Sequence, residues 1–154
     1  MPVHLLRPAL TGKLTVERFL TAEECQTIVD RGERGLALAA GRTEDQRTTL
    51  RKSDIAWLTA DAEHGWLFQR VTECINEINR NWFGYRLIGF EGIQLTKYSH
   101  DQRGPGDHYG PHKDTRLLAD GTIRKLSFTI HEVTPVSRGL RYSLVGWATG
   151  PSFV

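Results

Sequence analysis

The stretch GDHYGPHKD at 106–114, followed from position 131 by HEVTPVSRGLRYS, holds histidine, aspartate and arginine side chains in an order that metal chemistry uses. His112 and Asp114 stand two apart. On an extended segment both side chains leave the same face, with their backbones about 6.5–7 Å apart, and can close on one small ion. Taken alone, a solvated turn that carries a histidine and an aspartate is the commoner origin of such a pair. His131, seventeen positions past Asp114, could supply a second imidazole. Two nitrogens and one carboxylate oxygen on one face, with the opposite face left open, is the facial arrangement of non-haem Fe(II) sites. A structural zinc site would favour four sulfur-rich protein ligands, and neither Cys25 nor Cys74 lies near these positions.

Ten residues beyond His131 stands Arg141, with Ser137-Arg138-Gly139 offering a turn between them. Two antiparallel strands joined there could place the guanidinium on the metal side, where its planar fork suits a carboxylate bidentately. Ser143 shares the face of Arg141, while Tyr142 and Leu144 point the other way, into apolar packing. An arginine in a strand is often an edge residue facing water. RYSLVGW, however, has the composition of a buried strand, and a charge there needs a partner.

The elements that must position these groups divide into a helical first half, to about residue 84, and a strand-rich second half over about 85–150. The division predicts an α+β domain with helices laid on a sheet. In FLTAEECQTIVDRGERG, Thr21 and Glu24 form an S/T-x-x-E capping box, and the helix should end near Gly32 or Gly35. Residues 36–53 read as a surface loop before the apolar run at 55–58. A second helix is predicted from about Thr59 to about Asn81, on the stripe Leu67, Val71, Cys74, Ile75 and Ile78. After Gly84, the short runs YRLIGF, GIQLTKY, IRKLSFTI, HEVTPV and RYSLVGW read as antiparallel strands.

At 154 residues and 39% apolar composition, the chain has the size of one domain with a real core. Its 20 basic and 18 acidic residues are nearly balanced, with no basic stripe interleaved with aromatics. Nucleic acid and anionic membrane are therefore not expected partners, and nucleic-acid dealkylation is disfavoured. Two cysteines without metal spacing predict buried thiols and a cytoplasmic setting, and no run is long enough to span a membrane. The four tryptophans are expected in the core, with Trp57 also placed to line a substrate entrance. His4 and His64 are expected at the surface, His100 and His108 as loop or pocket-wall residues, and Tyr109 in packing.

Tyr98 in QLTKY, GDHYGPHKD, RKLSFTI and HEVTPVSRGLRYSLVGW together resemble the 2-oxoglutarate- and Fe(II)-dependent oxygenases, in particular the prolyl 4-hydroxylase-like (PKHD-type) group of hydroxylases. The resemblance covers about residues 90–150, with FLTAEEC as the helical lead-in. It implies a double-stranded β-helix, or jelly roll, with Fe(II) ligands His112, Asp114 and His131. It also implies that Arg141 holds the distal carboxylate of 2-oxoglutarate, with support from Ser143 and the phenol of Tyr98. The implied reaction converts 2-oxoglutarate and dioxygen to succinate and CO2 while hydroxylating an unactivated C–H of a protein side chain or an amino-acid-like molecule.

The chain departs from that group at one junction. Several dozen residues that the group carries between the strands equivalent to RKLSFTI and HEVTPV are missing, so Ile130 is joined directly to His131. In the group's topology those two strand ends are about 20 Å apart, and one peptide step of about 3.8 Å cannot join them. A break in the strand near Ile130 is therefore expected. Three readings stay open: a rearranged barrel, a catalytically inactive remnant acting as a binding or interaction module, or a working protein with an internal segment that this sequence omits.

Overall fold

The computed structural model describes residues 14–38, 51–100, 107–109, 113, 114, 116–131 and 139–152, with backbone alone at 37, 38, 51, 52, 100 and 131. The first helix, α1 (Ala22–Gly32), starts as its sequence requires. The Thr21 hydroxyl accepts from the Glu24 backbone N–H at 3.2 Å, and the Glu24 carboxylate accepts from the Thr21 N–H at 2.9 Å. A single tight turn, Glu33–Gly35, follows. Gly32 is required by packing, because a Cβ there would stand 2.1 Å from a Leu95 methyl.

The second helix, α2 (Gly65–Ile78), begins later than the periodicity predicts. Asp61 accounts for the delay: its carboxylate accepts from the backbone N–H groups of Glu63 and His64, and its carbonyl from that of Gly65. These bonds hold 59–64 in a turn ahead of the helix. The helix ends in a widened turn, Asn79–Phe83, closed by Gly84 in the left-handed region at φ 68°. No helix among the described residues is long and apolar enough to cross a membrane.

The strands are β1 (Ala37–Leu38), β2 (Arg51–Lys52), β3 (Asp54–Leu58), β4 (Gly89–Phe90), β5 (Ile93–His100), β6 (His108–Tyr109), β7 (Thr122–His131) and β8 (Gly139–Pro151). All pairings are antiparallel. The order is β1-β3-β5-β8, with β4 beside the far end of β8 on the β5 side and β7 along its other edge, while β2 and β6 form a separate ribbon. The expected mixture of helices and antiparallel sheet is thus present.

Alternation sorts the side chains. Ala56, Leu58, Ile93, Leu95 and Leu144 face the helices and pack with Ile28, Leu67 and Val71. Phe128 lies over Gly146 on this side, where no Cβ would fit.

The interruption expected at Ile130–His131 is not there. β7 runs through both residues, with Ile130 opposite Leu144 and His131 opposite Ser143. The edge of β8 offers continuous backbone partners, so the strand simply extends along it. Its one irregularity lies at the other end, between Arg124 and Leu126.

Expectations for five other residues are corrected. Cys25 is exposed on the outer side of α1 and Cys74 only partly covered, because each helix buries one narrow stripe. Trp57 is 49% exposed, since its neighbours Ala56 and Leu58 take the helix side, and Trp82 stands out from the widened turn. His64 is buried rather than superficial, with Nδ1 at 3.0 Å from Asp61 Oδ1.

Candidate active site

The face of the sheet turned away from the helices is polar and yet largely buried. Thr96 is 1% exposed, Tyr98 7% and Ser143 8%, and Gln94 and Thr149 are also buried. The register explains which residues meet there. Tyr98 lies opposite Arg141, and Thr96 opposite Ser143, which in turn lies opposite His131. Arg141 Cζ stacks 4.4 Å from the centre of the Tyr98 ring, a cation–π contact that fixes the plane of the guanidinium. Its Nε is buried and has no hydrogen-bond partner among the described residues. A buried donor left unpaired costs about 1–3 kcal/mol. Three side chains expected to bind a carboxylate, Arg141, Ser143 and Tyr98, are therefore brought together.

Asp114 reaches the same face from outside the sheet. Its carboxylate accepts from the Ser127 hydroxyl at 2.8 Å, and its carbonyl lies 3.4 Å from Arg124 Nη1. Ser127 and His131 are four residues apart on β7, roughly 13 Å at strand rise. The contact therefore holds the carboxylate beside the middle of β7, four residues along the strand from His131. His112 and the His131 side chain lie outside the described residues. Among the described residues, no group of three His, Cys, Asp or Glu side chains could hold a metal ion. Asp114 is the one donor of the expected triad with a described side chain. His108 and Tyr109 form β6, paired with Lys52 and Arg51.

Beside Asp114 stands a group the sequence reading did not single out. Arg124 makes a two-pronged pair with Glu91, Nε to Oε1 at 2.6 Å and Nη2 to Oε2 at 3.0 Å, and its Cζ lies 3.8 Å over the Trp147 ring. The Trp147 ring is tilted against Trp57 at 6.3 Å between centres, and its indole N–H is buried with no partner among the described residues. The signal that marks Arg141, a charge inside an apolar strand, also marks Arg124 in IRKLSFTI. Glu91 is 33 residues away and gives no local sign.

On the helix side, immediately behind Arg141, the Glu33 carboxylate accepts from Lys97 Nζ at 2.8 Å and from the Tyr142 hydroxyl. The Lys97 hydrogen bond, and then that of Tyr142, hold the Glu33 carboxyl below its usual range. Burial, followed by the Glu33 contact, pushes the Tyr142 phenol up.

With this geometry in view, comparison with solved structures finds a viral collagen prolyl hydroxylase from Paramecium Bursaria Chlorella virus-1, in a complex with 2OG. The TM-score is 0.63, at 14% identity over 92% of this chain and 99% of the other. The chain is similar in fold to that structure. At that identity the likeness concerns the arrangement of helices and sheet. No family model matches the sequence, and no curated protein matches it.

Proposed function

We propose that this chain is a 2-oxoglutarate- and Fe(II)-dependent dioxygenase that hydroxylates an unactivated C–H of a protein side chain or an amino-acid-like molecule. The observation that carries the reading is the Arg141 guanidinium, half-buried on a polar sheet face, stacked on Tyr98, with its Nε unpartnered among the described residues and Ser143 one position along the same face. A carboxylate is the natural acceptor for that fork. The distal carboxylate of 2-oxoglutarate would take two hydrogen bonds from Arg141 and one from Ser143, with the Tyr98 ring keeping the guanidinium flat. The likeness of fold to a hydroxylase seen with 2OG agrees with this use of the face.

His112, Asp114 and His131 would hold the iron, which when bound supplies dioxygen activation coupled to the conversion of 2-oxoglutarate to succinate and CO2. The described donor chemistry fits as far as Asp114, a carboxylate carried to the same face as Arg141. Around it, Arg124 fastens the segment to β7, and Trp147 with Arg124 walls the face on one side.

A second reading, a binding module without catalysis, is favoured by one observation. Because β7 continues through Ile130–His131, the His131 backbone lies beside Ser143 within the sheet and roughly 13 Å along β7 from the Ser127 contact of Asp114. Stoichiometric Fe(II) binding together with succinate formation from 2-oxoglutarate distinguishes the two readings. For the enzyme, His112→Ala, Asp114→Ala and His131→Ala should each abolish turnover while far-UV circular dichroism stays unchanged. Turnover near the wild-type rate in Asp114→Ala would remove it from the metal site.

A further inference from the structure

Consecutive rungs of the β5–β8 pair carry two different clusters. Lys97 stands opposite Tyr142, and the next rung sets Tyr98 opposite Arg141. Because successive residues of a strand point to opposite faces, the first rung meets the helices and the second meets the polar face. On the helix side one carboxylate fastens the rung. Glu33 accepts from Lys97 Nζ at 2.8 and 3.2 Å and from the Tyr142 hydroxyl, and Lys97 Nζ lies 5.8 Å over the Tyr142 ring.

β8 begins at Gly139, two residues before Arg141, and Leu140 between them is 55% exposed. Strand ends open most readily where few apolar contacts hold them. Among the described residues, Glu33 fastens the rung next to the one that presents the guanidinium, and it grips both strands of that pair at once. Moving Tyr142 would turn Arg141, its covalent neighbour, away from Tyr98.

We propose that Glu33 is a positioning residue for the Arg141–Tyr98 anion seat, acting through Lys97 and Tyr142 from the opposite face of the sheet. The inference rests on the reading of Arg141 as the site for the 2-oxoglutarate carboxylate. Neither partner of Glu33 touches the ligand, so its effect is on the orientation of the guanidinium and not on the charge of the site.

Calorimetric titration with 2-oxoglutarate, in the presence of Mn(II) in place of Fe(II), tests this on the full chain. Glu33→Ala should weaken 2-oxoglutarate binding roughly tenfold, the scale of one lost charge-assisted hydrogen bond, with Mn(II) affinity unchanged. Glu33→Gln, which keeps one acceptor oxygen, should recover part of the loss. Glu24→Gln removes an ion pair on α1, away from the Glu33 turn, and should lower the melting temperature without changing 2-oxoglutarate affinity. An unchanged affinity in folded Glu33→Ala, or an equal loss in Glu24→Gln, overturns the proposal. If Glu33→Ala does not fold, Tyr142→Phe decides, since it deletes only one hydroxyl: about threefold weaker binding supports the proposal, and wild-type affinity overturns it. Wild-type protein that binds no 2-oxoglutarate would overturn the functional reading itself, a result distinct from a wild type that binds and a Glu33 variant that binds equally well.

Discussion

On the helix side of the sheet, Ala56, Leu58, Ile93, Leu95 and Leu144 pack against Ile28, Leu67 and Val71. On the other side, the same strands place Gln94, Thr96, Tyr98, Ser143 and Thr149 at nearly the same burial. The first set is held by apolar area and tolerates no added volume, as Gly32 against Leu95 and Gly146 against Phe128 make plain. The second set is covered but polar, and it contains buried donors on Arg141 and Trp147 with no partner among the described residues. Burial without satisfaction is costly for stability, so the two faces differ in kind: the apolar one holds the molecule together, and the polar one carries the residues proposed to bind a carboxylate.

The largest effect that would break this comparison belongs to the apolar face. Leu95→Ala should cost about 2–5 kcal/mol in chemical denaturation, the usual range for emptying a buried leucine site. A loss under about 1 kcal/mol would show that the helix side is not the principal core. Next comes Arg141→Lys on the polar face. It should change stability little but weaken 2-oxoglutarate binding on the order of tenfold, because an ammonium replaces a two-pronged fork by one point charge. Weakened Fe(II) binding with unchanged 2-oxoglutarate affinity would reassign Arg141.

A smaller effect sharpens the comparison by pH. The Arg70 hydrogen bond, assisted by the Thr21 backbone, lowers the Glu24 carboxyl to about 2 from 4.5. A carboxyl depressed by folding stabilises the native state above its unfolded value and loses that contribution as pH falls towards the folded one. Stability measured by urea titration should therefore decline between about pH 4.5 and 2, and the Arg70→Met variant should show a shallower decline over that window. An identical slope in the variant would mean that other carboxylates carry the acid response. The smallest expected effect is that of Trp57→Ala. At 49% exposure the change should alter stability by less than about 1 kcal/mol, and any larger consequence should be on substrate affinity, through the surface it shares with Trp147.

Much of the fold could be read from local chemistry. The capping box of Thr21 and Glu24 and the stripe of Leu67 and Val71 act within a few residues of themselves, so their signals sit in short windows. RYSLVGW declared both a buried strand and a charge needing a partner, and Arg141 with Ser143 and Tyr98 now share one face. What escaped depends on a side-chain turn or on distant residues. Asp61 delays α2 by bonds that a periodicity cannot register. Glu33 meets Lys97 across 64 positions, and Glu91 meets Arg124 across 33. The continuity of Ile130 with His131 follows the edge of β8, a long-range partner that the strand's own residues do not announce.

That edge has a further consequence, in the time over which parts of the molecule open. Ser143, Leu144 and Val145 are flanked on both sides, by Thr96, Leu95 and Gln94 on β5 and by His131, Ile130 and Thr129 on β7. Arg141 and Tyr142 have a strand neighbour on only one side among the described residues. Amides bounded on both edges exchange with solvent only when the whole domain unfolds, whereas strand ends exchange through small local openings. Among the described residues, the stretch of β8 bounded on both edges starts at Ser143. Arg141 lies two residues from that doubly bounded stretch, so amide exchange along 143–145 reports on the part of β8 that carries the guanidinium's rigid support.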